Sequence, residues 1–126
     1  MDPPGTTKAE YCAMTVPAAF EYPAHSAPIG FVFYDGSQFP AEYRGDAFVA
    51  FRGSWNRFPA TGYEIVRVHF EEGAPASIEP FVSGFLIEDG TAHFARLAGV
   101  AVARSGALLF SDDTNGVLYQ VDFADE

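Results

Sequence analysis

The 126-residue chain has little cysteine and little positive charge. Cys12 is its single cysteine, so the sequence predicts neither an internal disulfide nor a cysteine-based metal site, and we expect a buried apolar thiol. Seven Lys and Arg stand against 17 Asp and Glu, which gives a net charge of −10. Without a basic cluster, this charge argues against nucleic acid and anionic membranes as partners.

Long apolar and long helical patterns are also missing. No apolar run reaches the ~18 residues that a membrane span needs. Residues 1–5 have neither a basic region nor an apolar core, so they predict no export signal. No stretch of convincing length has helical periodicity, and we expect helix to be nearly absent.

Aromatic residues and chain-reversing residues are abundant instead. The chain has 13 Phe, 6 Tyr, 12 Gly and 9 Pro, which predicts an all-β fold of short antiparallel strands. Pro17 and Pro80 place two of these strands at sheet edges, because proline donates no ladder hydrogen bond. The predicted strands are a short one within 11–22, followed by 29–34, 46–51, 63–70, 77–86, 96–103, 107–111 and 117–123, with 87–94 as a loop.

The later strands repeat the order of the earlier ones. An apolar strand, a Gly turn, a second apolar strand, a polar loop and an alternating strand occur first over 28–70 and again over 97–123. Such a repeat is typical of antiparallel β-propeller blades, and the strand count predicts about two blades of a six-bladed propeller. We expect one partial propeller domain over 1–126: a loose N-terminal segment at 1–10, an outer strand and crossing at 11–28, a first blade at 29–94 and a second blade at 95–126.

The loop of residues 52–59, RGSWNRFP, concentrates the single Trp with two Arg, an amide and a hydroxyl. Ordering such a loop costs entropy, and loops on a rigid sheet often carry binding groups. The loop therefore either faces a ligand, or Trp55 plugs a sheet edge while the arginines are solvated. The segment 112–116, DDTNG, predicts a hairpin turn and not a calcium loop, because it lacks the alternating acidic ligands and the distal Glu.

The motifs, taken together and in order, resemble a known family. HSAPIGFVFY at 25–34, FPAEYRGDAFVA at 39–50, GSWNR at 53–57, TGY at 61–63 and SDD at 111–113 resemble the C-terminal part of the soluble sugar dehydrogenases that use pyrroloquinoline quinone (PQQ), particularly their L-sorbosone dehydrogenase-like branch. The resemblance implies a six-bladed propeller, exported to the periplasm or secreted. It also implies sugar oxidation by bound PQQ, with calcium beside the cofactor.

The resemblance assigns cofactor-binding positions to this chain. Arg96 matches an arginine at the start of an innermost strand, where its guanidinium would bind a quinone carboxylate; the alternative is a surface salt bridge. His25 matches a position lining the same pocket, although a structural role is equally open. Arg52 replaces a histidine of many relatives and keeps a positive donor, but it is no general base. Asn56 and Arg57 match the motif, either as cofactor ligands or as residues that order the loop.

The resemblance also implies what this chain does not supply. The catalytic base histidine and the calcium ligands of the family lie in earlier blades, so we expect no catalytic residue and no metal ligand here. The chain would contribute to the PQQ pocket of a sugar dehydrogenase and be inactive alone, completed either by the remaining propeller blades or by other copies. The alternatives are a self-assembling binding module for a sugar or small anion, without catalysis, and a structural domain that binds no ligand.

Overall fold

The structure is a computed structural model that describes residues 4–124. Nine strands and one short helix make up most of its regular structure, and 3-10 turns lie at Ala41–Tyr43 and Glu88–Gly90. The elements are α1 (Lys8–Ala13), β1 (Pro28–Phe33), β2 (Ala47–Phe51), β3 (Glu64–Glu71), β4 (Ala74–Val82), β5 (Leu86–Ile87), β6 (Ala92–His93), β7 (Leu97–Val102), β8 (Leu108–Asp112) and β9 (Val117–Val121).

Two antiparallel sheets correspond to the two predicted blades. The first sheet has the strand order β1-β2-β3-β4, and the second has β7-β8-β9. The predicted all-β class is therefore confirmed. Pro80 lies in β4 opposite Val66, at the outer edge of the first sheet, as expected for a strand that contains proline. The turn after Asp112 joins β8 to β9, which confirms the predicted hairpin.

The sheets pack face to face through alternate residues of their strands. In the first sheet, Phe48, Ala50 and Ile65 face the second sheet, which contributes Leu108 and Phe110 to one apolar core. β1 and β7, the first strands of the two sheets, lie so close together that a Cβ at Gly30 would clash with the Ala98 carbonyl oxygen. Glycine at this position is what allows β1 and β7 to lie side by side.

The opposite face of the first sheet carries its own apolar cluster. Ala47, Phe51, Val66 and Val68 are buried there, and the ring of Tyr22 stacks on Phe51 with centroids 4.2 Å apart. The Tyr22 hydroxyl donates to Glu64 Oε1 at 2.6 Å. Tyr22 therefore helps to hold the segment that precedes β1 on the first sheet.

The N-terminal expectations were wrong. Residues 11–22 form no strand; the described chain has α1 instead, inside a region expected to be loose and then extended. The cause is a capping box, in which Thr7 Oγ accepts from the Glu10 N–H and the Glu10 carboxylate accepts from the Thr7 N–H. No residue of α1 is buried, and Cys12 is exposed instead of buried. Residues 1–3 and 125–126, at the two ends of the expected ranges, lie outside the described residues.

A second difference concerns residues 86–93, which form the two-residue strands β5 and β6 within the expected loop. Such short strands carry too few residues for an alternating pattern to show. Glu88 and Asp89, with positive φ, and Gly90 turn the chain between them. Among the helices of residues 4–124, none is long and apolar enough to cross a membrane.

Candidate functional site

The connections at one end of the two sheets bring the chemically active side chains together. β2 ends at Phe51, where β1 begins, and β8 ends at Asp112, opposite the first residue of β7. Arg52 follows β2 and Asp113 follows β8, and Arg52 Nε lies 2.7 Å from Asp113 Oδ2. This ion pair shows that these ends of both sheets lie side by side, and we call this side of the molecule the loop end.

The loop of residues 52–59 is anchored at its base and exposed at its tip. The Gly53 N–H donates to the Ser26 carbonyl at 2.9 Å, and the Ser54 N–H donates to the Thr61 carbonyl at 3.0 Å. In return, the Thr61 N–H donates to Ser54 Oγ. Beyond this base, Trp55 is 81% exposed and Phe58 is 83% exposed. Trp55 therefore does not plug a sheet edge, and the interpretation that the loop faces a ligand stays a prediction.

Tyr63 forms the floor beneath that loop. Its φ of 61° is in the left-handed region, and its side chain is buried. The hydroxyl donates to the Ser54 carbonyl, and the ring packs so tightly under Gly53 that a Cβ there would clash with it. His93 lies on the ring with centroids 4.8 Å apart, and Arg96 Cζ lies 5.9 Å from the ring centroid. An aromatic surface, an imidazole and a guanidinium thus meet at one point.

The main chain of Arg96 is fixed by hydrogen bonds, whereas its side-chain Nε has no hydrogen-bond partner among the described residues. Its N–H donates to Asp112 Oδ1 at 2.9 Å, and its carbonyl accepts from the Asp113 N–H at 3.0 Å. Arg96 Nε is buried, and it has no hydrogen-bond partner among the described residues. Leaving a charged donor buried and unpaired is costly, so its position calls for an acceptor.

Asp112 is the anchor of this arrangement. Burial by itself would raise its pKa, but hydrogen bonds from the Arg96 N–H, the Asn115 side chain and the Thr114 N–H outweigh burial, and the pKa of Asp112 is lowered. Asn115 Nδ2 also donates to the Phe94 carbonyl, so the turn after β8 holds both the main chain and the carboxylate in place. The β8–β9 turn therefore orients the site.

A cleft of about 370 Å³ opens above Tyr63. It lies between the loop of residues 52–59 and the β5–β6 hairpin, and its volume suits a small molecule. The side chains that give it chemical character are those of Ser54, Trp55, Arg57, Thr91, His93 and Arg96. Within residues 4–124, no group of three or more His, Cys, Asp or Glu side chains is placed to hold a metal ion.

The five predicted cofactor-binding residues divide into two groups. Arg96 and Arg57 line the cleft, and Arg57 Nη1 also donates to the Ala24 carbonyl at 2.5 Å. Arg52 is paired with Asp113, Asn56 is exposed at the loop tip, and His25 lies in a separate cavity with Tyr22 and Phe51. For all five residues, contact with a cofactor stays a prediction.

Sequence reasoning missed residues of the cleft that lie outside the loop of residues 52–59, namely Tyr63, Thr91 and His93. Tyr63 was identified only as part of a motif and a strand, although its position after Gly62 is a signal of the unusual backbone that directs the ring under the loop. No local pattern in the sequence places His93 against Tyr63. A two-residue strand brings it there.

The chain belongs to the TrAA12-like family, whose model matches residues 1–124. It is 36% identical over 108 residues to an uncharacterised protein of Borreliella burgdorferi, an alignment that covers 84% of this chain and 28% of that protein. Membership of this family is the coarser form of the expected relationship, and the L-sorbosone dehydrogenase-like branch stays a prediction.

Solved structures show the same fold. The iodide and calcium structures of the Carbohydrate-Active Enzymes Family AA12 protein of Trichoderma reesei match with a TM-score of 0.70 and 27% identity, over 91% of this chain and 29% of theirs. The holo form of the pyranose dehydrogenase PQQ domain from Coprinopsis cinerea matches with a TM-score of 0.62 and 23% identity, over 79% of this chain and 27% of that one. The chain thus spans less than a third of the length of each relative.

Proposed function

We propose that this chain forms one wall of the PQQ pocket of a carbohydrate dehydrogenase, with the cofactor in the cleft above Tyr63. The observation that carries the proposal is the buried, unpaired Arg96 Nε. It is supported by membership of the TrAA12-like family and by the likeness to an AA12 structure at 27% identity.

The residues of the cleft suit the chemistry of PQQ, a planar quinone that carries carboxylates. Arg96 and Arg57 offer guanidinium groups, which pair with carboxylates through two parallel hydrogen bonds. The Tyr63 ring and the exposed Trp55 offer aromatic surface, and the Ser54 and Thr91 hydroxyls offer neutral hydrogen bonds. When bound, PQQ supplies the two-electron acceptor for sugar oxidation.

The two arginines of the cleft would bind and orient the cofactor and would not exchange protons with the sugar. Neither arginine that lines the cleft is a general base, because guanidinium does not deprotonate in proteins. We therefore propose that oxidation needs further residues that cover the remaining part of the pocket, including the base and the calcium ligands. We further propose that the substrate is an aldose-type sugar, with L-sorbosone as the first to be assayed, and that the site of action is the periplasm or the cell exterior.

Equilibrium dialysis of the 126-residue chain against PQQ tests the proposal. In Arg96→Met the aliphatic stem is kept and the guanidinium is lost, and we expect at least about tenfold weaker binding, because charged hydrogen bonds contribute about 1.5–3 kcal/mol. Arg104→Met is the matched control, since Arg104 is exposed in the β7–β8 turn, at the opposite end of the second sheet. Equal PQQ affinity of Arg96→Met and the unmodified chain would contradict the proposed pocket.

A second ligand separates the two functional classes. A benzene polycarboxylate that binds as tightly as PQQ would favour the alternative of a general small-anion module. Sugar oxidation assayed with PQQ and calcium should show no turnover by the chain alone. Turnover by the chain alone would show that a base is present here after all.

A further inference from the structure

The charge of the cleft is opposite to the charge of the chain as a whole. The sequence has 17 Asp and Glu against 7 Lys and Arg. The described residues that line the cleft nevertheless include Arg57, His93 and Arg96 and no Asp or Glu. Asp112, the buried carboxylate of the site, accepts from the Arg96 N–H and from the donors of its own turn. A cleft with this set of charges favours an anionic ligand.

His93 is positioned in the cleft by stacking. It lies in β6 opposite Leu86 of β5, and its ring lies on the Tyr63 ring with centroids 4.8 Å apart and 33° between the ring planes. The Tyr63 hydroxyl donates to the Ser54 carbonyl, so the supporting ring is itself held in place. Among residues 4–124, no hydrogen bond uses a ring nitrogen of His93. The polar atoms of the imidazole therefore remain for a ligand.

Two guanidinium groups share the cleft with this imidazole. Arg96 Cζ lies 5.9 Å from the centroid of the Tyr63 ring, the same ring that supports His93. Arg57 lines the cleft from the loop of residues 52–59. The turn Glu88–Gly90 of the β5–β6 hairpin carries two carboxylates, but both side chains are exposed and neither lines the cleft. A ligand carboxylate attracted to Arg96 therefore comes to the part of the cleft that holds His93.

We propose that His93 is a third anion-binding residue of the cleft and that it binds a ligand carboxylate as the imidazolium. Naming PQQ as this ligand rests on the proposed function. Imidazole gains or loses its proton between about pH 5 and pH 8, whereas guanidinium stays charged. A carboxylate beside the ring favours the protonated form, and by linkage the proton favours binding of the carboxylate. Binding therefore transfers a proton from solvent to a ring nitrogen of His93, and no covalent bond to the ligand forms.

A purely aromatic role of His93 predicts a different pH profile. A ring that only covers Tyr63 as an uncharged surface would leave the affinity for PQQ independent of pH. An imidazolium makes the affinity fall by about threefold to tenfold between about pH 6 and about pH 8, because charge-assisted hydrogen bonds are about twice as strong as neutral ones. Carboxylates and guanidinium groups keep their charges over this range, so the change in affinity belongs to His93.

Isothermal titration calorimetry with PQQ tests the proposal. Titrations in two buffers of different ionisation enthalpy measure proton uptake, and titrations at about pH 6 and about pH 8 measure the change in affinity. His93→Phe keeps a ring over Tyr63 and should show neither effect. His93→Arg restores a charge and should bind tightly at both pH values without proton uptake. His69→Gln is the control, because His69 pairs with Asp46 outside the cleft. His93 is exposed, so the fold should survive, and far-UV circular dichroism checks this.

The outcomes distinguish this inference from the PQQ pocket. If Arg96→Met weakens PQQ binding but the unmodified chain takes up no proton, the pocket stands and the role of His93 is overturned. Proton uptake that persists in His93→Phe also overturns it. A benzene tricarboxylate, titrated in the same way, covers the reverse case: binding with proton uptake at His93, without PQQ binding, would support the anion site and contradict the cofactor. If neither ligand binds, both proposals fail.

Discussion

Replacing Asp112 by Ala should remove the anchor of the candidate site. The side chain is 2% exposed, and its carboxylate accepts from the Arg96 N–H and the Thr114 N–H at 2.9 Å and from Asn115 Nδ2 at 2.6 Å. The substitution leaves two main-chain donors without their acceptor in a partly buried position. Because each such donor costs about 1–3 kcal/mol, we expect a loss of about 2–4 kcal/mol in the free energy of unfolding.

The neighbouring residue provides the control. Asp113 pairs with Arg52 at 2.7 Å, but both side chains are more than a third exposed. Asp113→Ala should therefore cost no more than about 1 kcal/mol. Urea unfolding followed by far-UV circular dichroism measures both variants, since Trp55 is too exposed to report on the core. Equal losses in the two variants would refute the argument that the buried carboxylate holds this turn.

The pH dependence gives an independent check with a definite sign. The pKa of Asp112 is lowered in the folded state, so the unfolded chain binds the proton more readily. The stabilisation is complete above the unfolded pKa, about 3.9, and is lost as pH falls through the folded value. The stability difference between the unmodified chain and Asp112→Ala should therefore be constant near neutral pH and shrink below about pH 4. A difference that grows on acidification would contradict this reasoning.

Two further substitutions test the packing around the cleft and the core. Gly53→Ala should lower the free energy of unfolding by about 2–4 kcal/mol, because φ is 94° and the new Cβ would clash with the Tyr63 ring. Gly73→Ala is the control: its φ is 82° but the space around it is open, so it should cost about 1 kcal/mol. Thermal unfolding compares the two variants. Tyr34→Phe should cost about 1–3 kcal/mol in urea unfolding, because the buried hydroxyl accepts from the Phe39 N–H and donates to a main-chain carbonyl, both at 2.8 Å. An unchanged midpoint in either case would contradict the packing described.

Helix α1 and the β5–β6 hairpin show where local patterns mislead. Aromatic and small residues around Pro17 predict a strand within 11–22, yet the Thr7–Glu10 capping box starts a helix that runs into this range as far as Ala13. The cap lies outside the window in which the strand pattern was sought. The β5–β6 hairpin is too short for any period to appear, and it forms because Phe85 and Leu86 join the core beside it.

The sequence by itself determined the strand order, the two-blade repeat and the residue types of the loop after β2. Those features follow from alternation, glycine spacing and turn residues, which act between near neighbours along the chain. Only the tertiary structure decided which polar residues share a cleft. Arg96 and Arg57 lie together there with Tyr63 and His93, whereas His25 lies in another cavity, because sheet packing and not sequence distance sets these neighbours. The buried, unpaired Arg96 Nε is likewise a feature of the tertiary structure, because Arg96 lies between the distant residues Asp112 and Tyr63.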